Sequence, residues 1–343
     1  MCIRDRNDTC IHATDNGTFL SVTECKFQSA PDSKHDTTTP TCNNTIRVMS
    51  EATAELSKLK VEHTRSGVLA HDRAALNIRN STFREYKMVA VAYQEHSTGE
   101  VSGCMLLGQG PHTAADLGTD VSTQPDIAGV AIVDNCDVKL KDIKLLRQRE
   151  FGVQILDSRV ECTGLRSRAG GCSPLHTSDS EISVSDFEST GDGDGINLQC
   201  TWGTISNATV QDCTSFLGRP GCGLSVHGRS MQSTSDSSGT WLHVTDFQAR
   251  GGKGDAIQVT HGAQVSLKRC HLDVVDDACH ALLSLEEGTV IESSECHAAG
   301  FGEGFTVGRG VHGKFSHCNA AMAQTGFNCW GGKMVLDLSL IHI

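Results

Sequence analysis

The 343-residue sequence predicts an all-β solenoid of stacked coils, and three observations carry that prediction. Short apolar strands recur at a nearly fixed interval of roughly 22–23 residues, from Gly129 to Gly152, from Leu140 to Cys162 and from Cys162 to Val184. Within each interval the strands alternate apolar and polar residues between Gly, Asp and Ser, as in Gly129-Val-Ala-Ile132, Leu140-Lys-Asp-Ile143 and Gly152-Val-Gln-Ile155. No apolar pattern at i, i+3, i+4, i+7 persists long enough for a helix. A strand unit with a period of roughly 20–50 residues cannot bury its apolar face alone and must stack on its neighbours. An up-and-down barrel or a sandwich also has many short strands. The constant spacing, with Gly opening one strand in most units, favours parallel stacking instead.

The elements follow in order. The first coil is Phe19-Leu-Ser-Val22-Thr-Glu-Cys25-Lys-Phe27, and the polar stretch Gln28 to Asn44, with Pro31, Pro40 and three consecutive Thr, reads as a loop inserted at a turn. Coils centred on Leu56 to Val61 and Ile78 to Phe83 lie one such interval apart, and Val101 follows Ile78 after another. A second insertion spans Gly108 to Asp126 before the regular run from Gly129 to Phe187. Later coils carry Gly195 to Leu198, Gly223 to Val226, Val244 to Phe247, Ala256 to Val259, Leu267, Ala281 to Ser284, Gly304 to Val307, Phe315 and Gly326 to Cys329. A third insertion, Gly228 to Gly239, is rich in Ser, Thr and Asp. The stretch from Leu267 to Phe315 is too long for two regular coils, and the surplus is expected near Val290 as a bulge or longer turn. The reading is about a dozen coils of roughly 22–23 residues with three inserted loops, one domain over 13–337.

The terminal hexapeptides 1–6 and 338–343 read like translated sequencing-adapter ends and are set aside from the fold. The solenoid is then expected to be cut at both ends, with caps beyond them. A net charge of −12 with dispersed Lys and Arg argues against nucleic acid or an anionic membrane as a general partner, since nothing would neutralise phosphates. No run approaches the roughly 18 apolar residues that would suggest a membrane span. Aromatics are 5%, few for a protein that stacks sugars or bases on rings. Trp202, Trp241 and Trp330 are read as packing residues over the turns.

The 16 Cys show no CxxC pair and no Cys/His cluster at zinc spacing. Cys25, Cys104, Cys213, Cys270 and Cys318 each follow a Val, Leu or Phe three positions earlier. They are expected at one inward repeat position as a ladder of buried thiols. Disulfides between neighbouring coils, about 4.8 Å apart, are the alternative. Sequons at Asn7, Asn16, Asn43, Asn80 and Asn207 favour secretion over a cytosolic setting.

The repeats, of the form Gly-Val-x-Ile followed by Leu-x-x-Ile, resemble the right-handed parallel β-helix of the pectin-lyase-like superfamily over residues 13–337. Their texture is similar to the repeat region of F-box-only adaptors and of bacterial copper-processing periplasmic proteins. That resemblance implies a right-handed β-helix but not a reaction, because the superfold carries lyases, hydrolases, epimerases, adhesins and scaffolds. The polygalacturonase set (Asn-Thr-Asp, paired Asp, Gly-His-Gly, Arg-Ile-Lys) is not intact. Asp192-Gly-Asp194 is interrupted by Gly, and Asp276-Asp277 has no Gly-His-Gly partner. The epimerase Asp-Pro-His and the pectate-lyase Arg-x-Pro-x-x-Arg elements are absent.

Candidate chemistry therefore comes from columns of outward residues. On coils opening Gly-apolar-x-apolar, the x residue points outward. That column reads Ala131, Gln154, Asn197, Ser225, Gln258, Thr306 and Asn328. Two residues on lie Val133, Leu156, Gln199, His227, Thr260 and Gly308, with His261 and Arg309 adjacent; Asp194, Asp255 and Glu303 precede the strands. Asn197, Gln199, Ser225, Gln258, Thr306 and Arg309 are the expected ligand-binding residues, a stripe suited to sugar hydroxyls. Asp194 with Asp255 is the expected Ca²⁺ pair. Candidate acid–base groups are Asp192 with Asp194, Asp276 with Asp277, His227 and His261, with His280 and His312 as further candidates for proton transfer. The bland alternative is that outward positions are polar because they face water and turns are acidic because Asp favours turns. The leading expectation is a recognition module engaging a polysaccharide or glycan. The alternatives are a protein-binding scaffold using the inserted loops, and a polysaccharide lyase or hydrolase of another branch.

Overall fold

The structure is a computed structural model that describes residues 9–28, 44–108, 128–148, 150–171, 173–216, 219–229, 239–275, 279–300 and 302–337. The three expected insertions fall almost wholly outside these residues, as do Asp276 and Asp277. The described residues are all-β, with no helix. The chain divides into two compact units, Met1–Pro174 and Leu175–Ile343. Each is a parallel β-solenoid.

In the first unit every coil contributes three strands. The first stack is Thr9–Ala13, Asn44–Met49, Ser66–His71, Val89–Tyr93, Ala128–Val133 and Phe151–Leu156, all parallel. Around the corner stand Phe19–Thr23, Thr53–Ser57, Ala75–Arg79, Thr98–Ser102, Asp137–Lys141 and Arg159–Thr163. Each of these leads into a short third strand such as Lys60–Glu62 or Lys144–Leu146. The period-2 pattern sets the faces. Val68, Val91, Val130 and Val153 stack in register and are fully buried, as are their neighbours two positions on, Ala70, Tyr93, Ile132 and Ile155. The buried Tyr93 hydroxyl donates to the Leu76 carbonyl at 2.8 Å, which satisfies the one polar atom a tyrosine brings inside.

The corner between the second and third strands uses one backbone device throughout. Glu24, Lys58, Asn80, Gly103, Asp142 and Gly164 all have positive φ. Their N–H groups pair with the next coil, for example Lys58 to the Arg79 carbonyl at 3.0 Å and Asn80 to the Ser102 carbonyl at 2.9 Å. The second unit repeats this at Asp186, Asn207, Asp246, Arg269, Glu295 and His317. Gly, Asn and Asp suit the left-handed region, which explains their recurrence between strands.

In the second unit the first stack is Leu175–Ser178, Ile196–Gln199, Leu224–His227, Ile257–Thr260, His280–Ser284, Glu303–Val307 and Thr325–Cys329. Three coils fuse their remaining strands into long ones, Glu181–Thr190, Trp202–Gln211 and Trp241–Gly252. At Gly195 nothing larger fits, since a Cβ there would lie 2.1 Å from the Gly223 carbonyl oxygen, whereas Ala256 and Ala281 hold the same place in two later coils. Toward the C-terminal end the core is aromatic, with Phe305 stacked on Phe327 at 5.1 Å and tilted against Phe315 at 5.3 Å.

Three expectations change. The surplus between Leu267 and Phe315 does not centre on Val290. Gly252 pairs Val274 at a spacing of 22, Ile257 pairs Leu282 at 25 and Gln264 pairs Val290 at 26. Most of the extra length therefore enters between Val274 and His280. Cys213 is not on the ladder, because Val210 belongs to the later half of its coil and pairs Ala249, not an early-strand residue. Cys25 is only half-buried and so is not a core thiol. Cys104, Cys270 and Cys318 are buried there, and Cys296 joins them. All four of these are thiols, not disulfides.

Candidate functional site

Register places the polar column on the outer face of the second unit. Asn197 pairs Ser225 and Ser225 pairs Gln258; beside them Gln199 pairs His227 and His227 pairs Thr260. Six polar side chains thus occupy a patch of three coils by two outward positions. His176 heads the column opposite Asn197. Leu283, opposite Gln258, interrupts it before Thr306 and Asn328 resume. In the first unit the same column reads His12, Arg47, Leu69, Ala92, Ala131 and Gln154, apolar through its middle. The polar field is concentrated in the second unit.

Within the patch a continuous hydrogen-bond chain forms. Ser225 Oγ lies 2.7 Å from His227 Nε2, His227 Nδ1 lies 2.7 Å from Thr260 Oγ1, and Thr260 Oγ1 lies 2.7 Å from His261 Nδ1. His261 Nε2 then reaches Glu286 Oε2 at 3.2 Å. The rings of His227 and His261 meet edge to face at 5.9 Å. Ser225 and Thr260 are buried, while His261 and Glu286 stand in turns at φ 57° and 74°. Burial, and secondarily the charge on His261, hold the His227 pKa below its ordinary value, with Glu286 opposing. Asn197 keeps a buried Oδ1 without a hydrogen-bond partner. Gln199 is exposed and Gln258 half-buried.

The column before the strands reads Asp194, Cys222, Asp255, His280, Glu303 and Thr325. Asp194 and Asp255 are therefore not adjacent: the Cys222 coil separates them by two rises, about 9.6 Å. A Ca²⁺ held by both would have to reach past the Cys222 coil, and among the described residues no group of three or more His, Cys, Asp or Glu is placed to hold a metal ion. Each carboxylate has local work instead. Asp194 Oδ1 accepts the Cys222 N–H at 2.9 Å, and Asp255 Oδ1 accepts the His280 N–H at 2.8 Å. Nor are Asp192 and Asp194 an acid–base pair facing one space: Asp192 is buried and its Oδ2 accepts the Ser189 hydroxyl at 2.7 Å.

His280 sits between two carboxylates. Its Nδ1 is 3.0 Å from Asp255 Oδ1 and its Nε2 is 3.4 Å from Glu303 Oε2. Glu303 Oε2 also accepts from Thr306 Oγ1 at 2.7 Å and Asn328 Nδ2 at 3.0 Å. The hydrogen bond to Asp255 raises the His280 pKa; the bonds from Asn328 and Thr306 lower that of Glu303. Thr306, expected to meet a ligand, spends its hydroxyl here. Arg309 and His312 are exposed, as are Trp241, edge to face with His243, and Trp330. Sequence reading missed Glu286, His176 and Leu283. Glu286 lies in a turn behind a coil with no opening Gly, so no strand motif pointed to it.

No protein-family model matches the chain, and no curated protein matches it. Solved structures similar to it share the fold alone. They include a GH87 α-1,3-glucanase catalytic domain in complex with tetrasaccharides, at 8% identity and TM-score 0.36, covering 88% of this chain and 64% of that one. The Dettilon tailspike protein aligns at 12% identity and TM-score 0.41, covering 83% of this chain and 62% of that one. The GH87 domain with nigerose aligns at 8% and 0.38, covering 97% and 63%. The chain thus spans under two thirds of the length of each.

Proposed function

We propose that the outer face of the second unit is a glycan-recognition surface, engaging a polysaccharide laid across successive coils. The observation that carries this is the patch of Asn197, Gln199, Ser225, His227, Gln258 and Thr260 in register on one parallel sheet. Amides and hydroxyls both donate and accept, as sugar hydroxyls do, and a rigid sheet holds them without an ordering cost on binding. The setting is extracellular: the sequon residues Asn16, Asn80 and Asn207 are exposed. The scaffold alternative rests on inserted loops that lie outside the described residues, and Asp192 and Asp194 support no acid–base pair.

Affinity electrophoresis of the whole chain against neutral and uronate polysaccharides tests the reading. Removing three amide groups at about 0.5–1.5 kcal/mol each predicts at least a tenfold loss for the triple variant Asn197→Ala, Gln199→Ala, Gln258→Ala. Binding unchanged in that variant, or no retention of the parent by any polysaccharide, overturns it.

A further inference from the structure

The hydrogen-bond chain ending at Ser225 has a direction that its atoms dictate. Glu286, as a carboxylate, only accepts, so His261 Nε2 carries the hydrogen between them. With His261 neutral, its Nδ1 is then an acceptor and takes the Thr260 hydroxyl hydrogen. Thr260 Oγ1, its hydrogen spent, accepts from His227 Nδ1–H. His227 Nε2 is left as the acceptor, and Ser225 O–H donates to it at 2.7 Å. Reversing the chain requires a doubly protonated His261, or His261 Nε2 facing Glu286 without a hydrogen. A carboxylate three hydrogen bonds away therefore fixes the His227 tautomer in the form that withdraws a proton from a serine.

The arrangement is not needed for the fold, since any outward residue satisfies a strand. Ser225 is flanked in register by two amide side chains, Asn197 on one coil and Gln258 on the other. Both side chains carry N–H donors, the kind of group that stabilises the charge developing on an ester carbonyl oxygen when a nucleophile adds.

We propose that Ser225 is an acyl-accepting nucleophile with His227 as its general base, forming a serine esterase centre whose substrate is an ester borne on a glycan. Thr260, His261 and Glu286 are positioning residues. The Ser225 oxygen bonds to the ester carbonyl carbon as its proton passes to His227 Nε2. The carbon–alkoxide bond then breaks, and the sugar oxygen leaves with that proton as a free hydroxyl. Water adds to the acyl-serine, giving its proton to His227. Collapse releases the carboxylic acid and returns the proton to Ser225. The choice of a glycan ester rests on the recognition surface proposed above; the Ser225–His227 pair does not.

The test uses the full chain and a fluorophosphonate, whose phosphorus bonds to the serine oxygen while fluoride leaves with the proton. The expected result is one label per chain, mapped to Ser225 by mass spectrometry and absent in Ser225→Ala. Glu286→Gln, which can donate as well as accept and so loses the chain's direction, should label at least tenfold more slowly with an unchanged circular dichroism spectrum. Nitrogen-15 NMR should show His227 protonated on Nδ1 in the parent and as a tautomer mixture in Glu286→Gln. A folded parent that is not labelled at Ser225, or labelling and tautomer both indifferent to Glu286→Gln, overturns the proposal. Acetate release from an acetylated polysaccharide, lost in Ser225→Ala, is the expected sign of the glycan ester. Labelling without such release, while polysaccharide binding persists, overturns that assignment. Labelling without polysaccharide binding overturns the recognition surface and leaves the pair standing.

Discussion

Replacing His280 by Gln should weaken the second unit in a pH-dependent way. The side chains of His280, Asp255 and Glu303 are 22%, 16% and 31% exposed, so they are screened only in part. When doubly protonated, His280 donates to Asp255 at 3.0 Å and reaches Glu303 at the longer 3.4 Å. Counting the first as a charge-assisted bond and the second as a weak ion pair gives about 2 kcal/mol. The sign follows from the direction of each shift. The His280 pKa is raised in the fold, so its contribution is full below about 6.5 and is lost as pH rises through the folded value. That of Glu303 is lowered, so its contribution is present above about 4.3 and is lost as pH falls through its folded value. The cluster stabilises most between those limits. At pH 5.5 His280→Gln should cost about 2 kcal/mol, or roughly 1 M in the urea midpoint. At a pH above the folded value, where neutral His280 keeps only the Asp255 bond, the cost should fall to about 1 kcal/mol. Tryptophan emission reads this unit selectively, because Trp202, Trp241 and Trp330 all lie in it. An equal cost at both pH values would refute the assignment of a protonated bridge.

Three further outcomes are expected. Gly203→Ala puts a Cβ 1.8 Å from the Ile182 carbonyl at φ 140° and should prevent the second unit from folding, whereas Gly191→Ala, at φ 69° with open space around it, should cost only about 1–2 kcal/mol; circular dichroism melting of the two variants side by side checks this. Phe305→Ala opens the aromatic cluster and should cost about 3–5 kcal/mol in urea unfolding, with Phe305→Leu well below that. The Cys296 thiol, pushed up to about 12 by its hydrogen bond to Cys270 and by burial, should resist an aromatic disulfide reagent until the chain unfolds, while the exposed Cys329 reacts at once; timed mass spectrometry separates the two.

The coils were readable because burial writes itself into the sequence with period 2. Val68, Val91, Val130 and Val153 are apolar for one shared reason, and Gly67, Gly129 and Gly152 mark where a neighbouring carbonyl comes close. The outer column from Asn197 to Gln258 was readable by the same rule, since x in Gly-apolar-x-apolar has one direction. The rule fails where the marker is absent: the His280 coil has no opening Gly, so Leu283 was not counted. It also fails where one motif serves two corners, as Cys213 shows. Asp194 and Asp255 were read as stacked because only acidic residues were followed down that column, and the Cys222 between them carried no charge to notice. The Ser225 to Glu286 chain was beyond reach for another reason. Its members are scattered over three separate coils, two of them in turns, and only the register brings the turn of one coil over the strand of the last.

The repeated left-handed corner makes the coil an interchangeable part. Lys58 and Asn80 have nearly the same φ, 52° and 50°, and occupy the same place one coil apart. Excising residues 59–80 would join two identical joints. Thr53–Ser57 would then face Thr98–Ser102, and Asn44–Met49 would face Val89–Tyr93, with every inward residue still inward. Even the Tyr93 hydroxyl would find a carbonyl, because Ala54 stands in register with Leu76. Length in such a molecule is a quantity that can be dialled in whole coils, about 4.8 Å at a time, while the surface carrying Ser225 is left untouched.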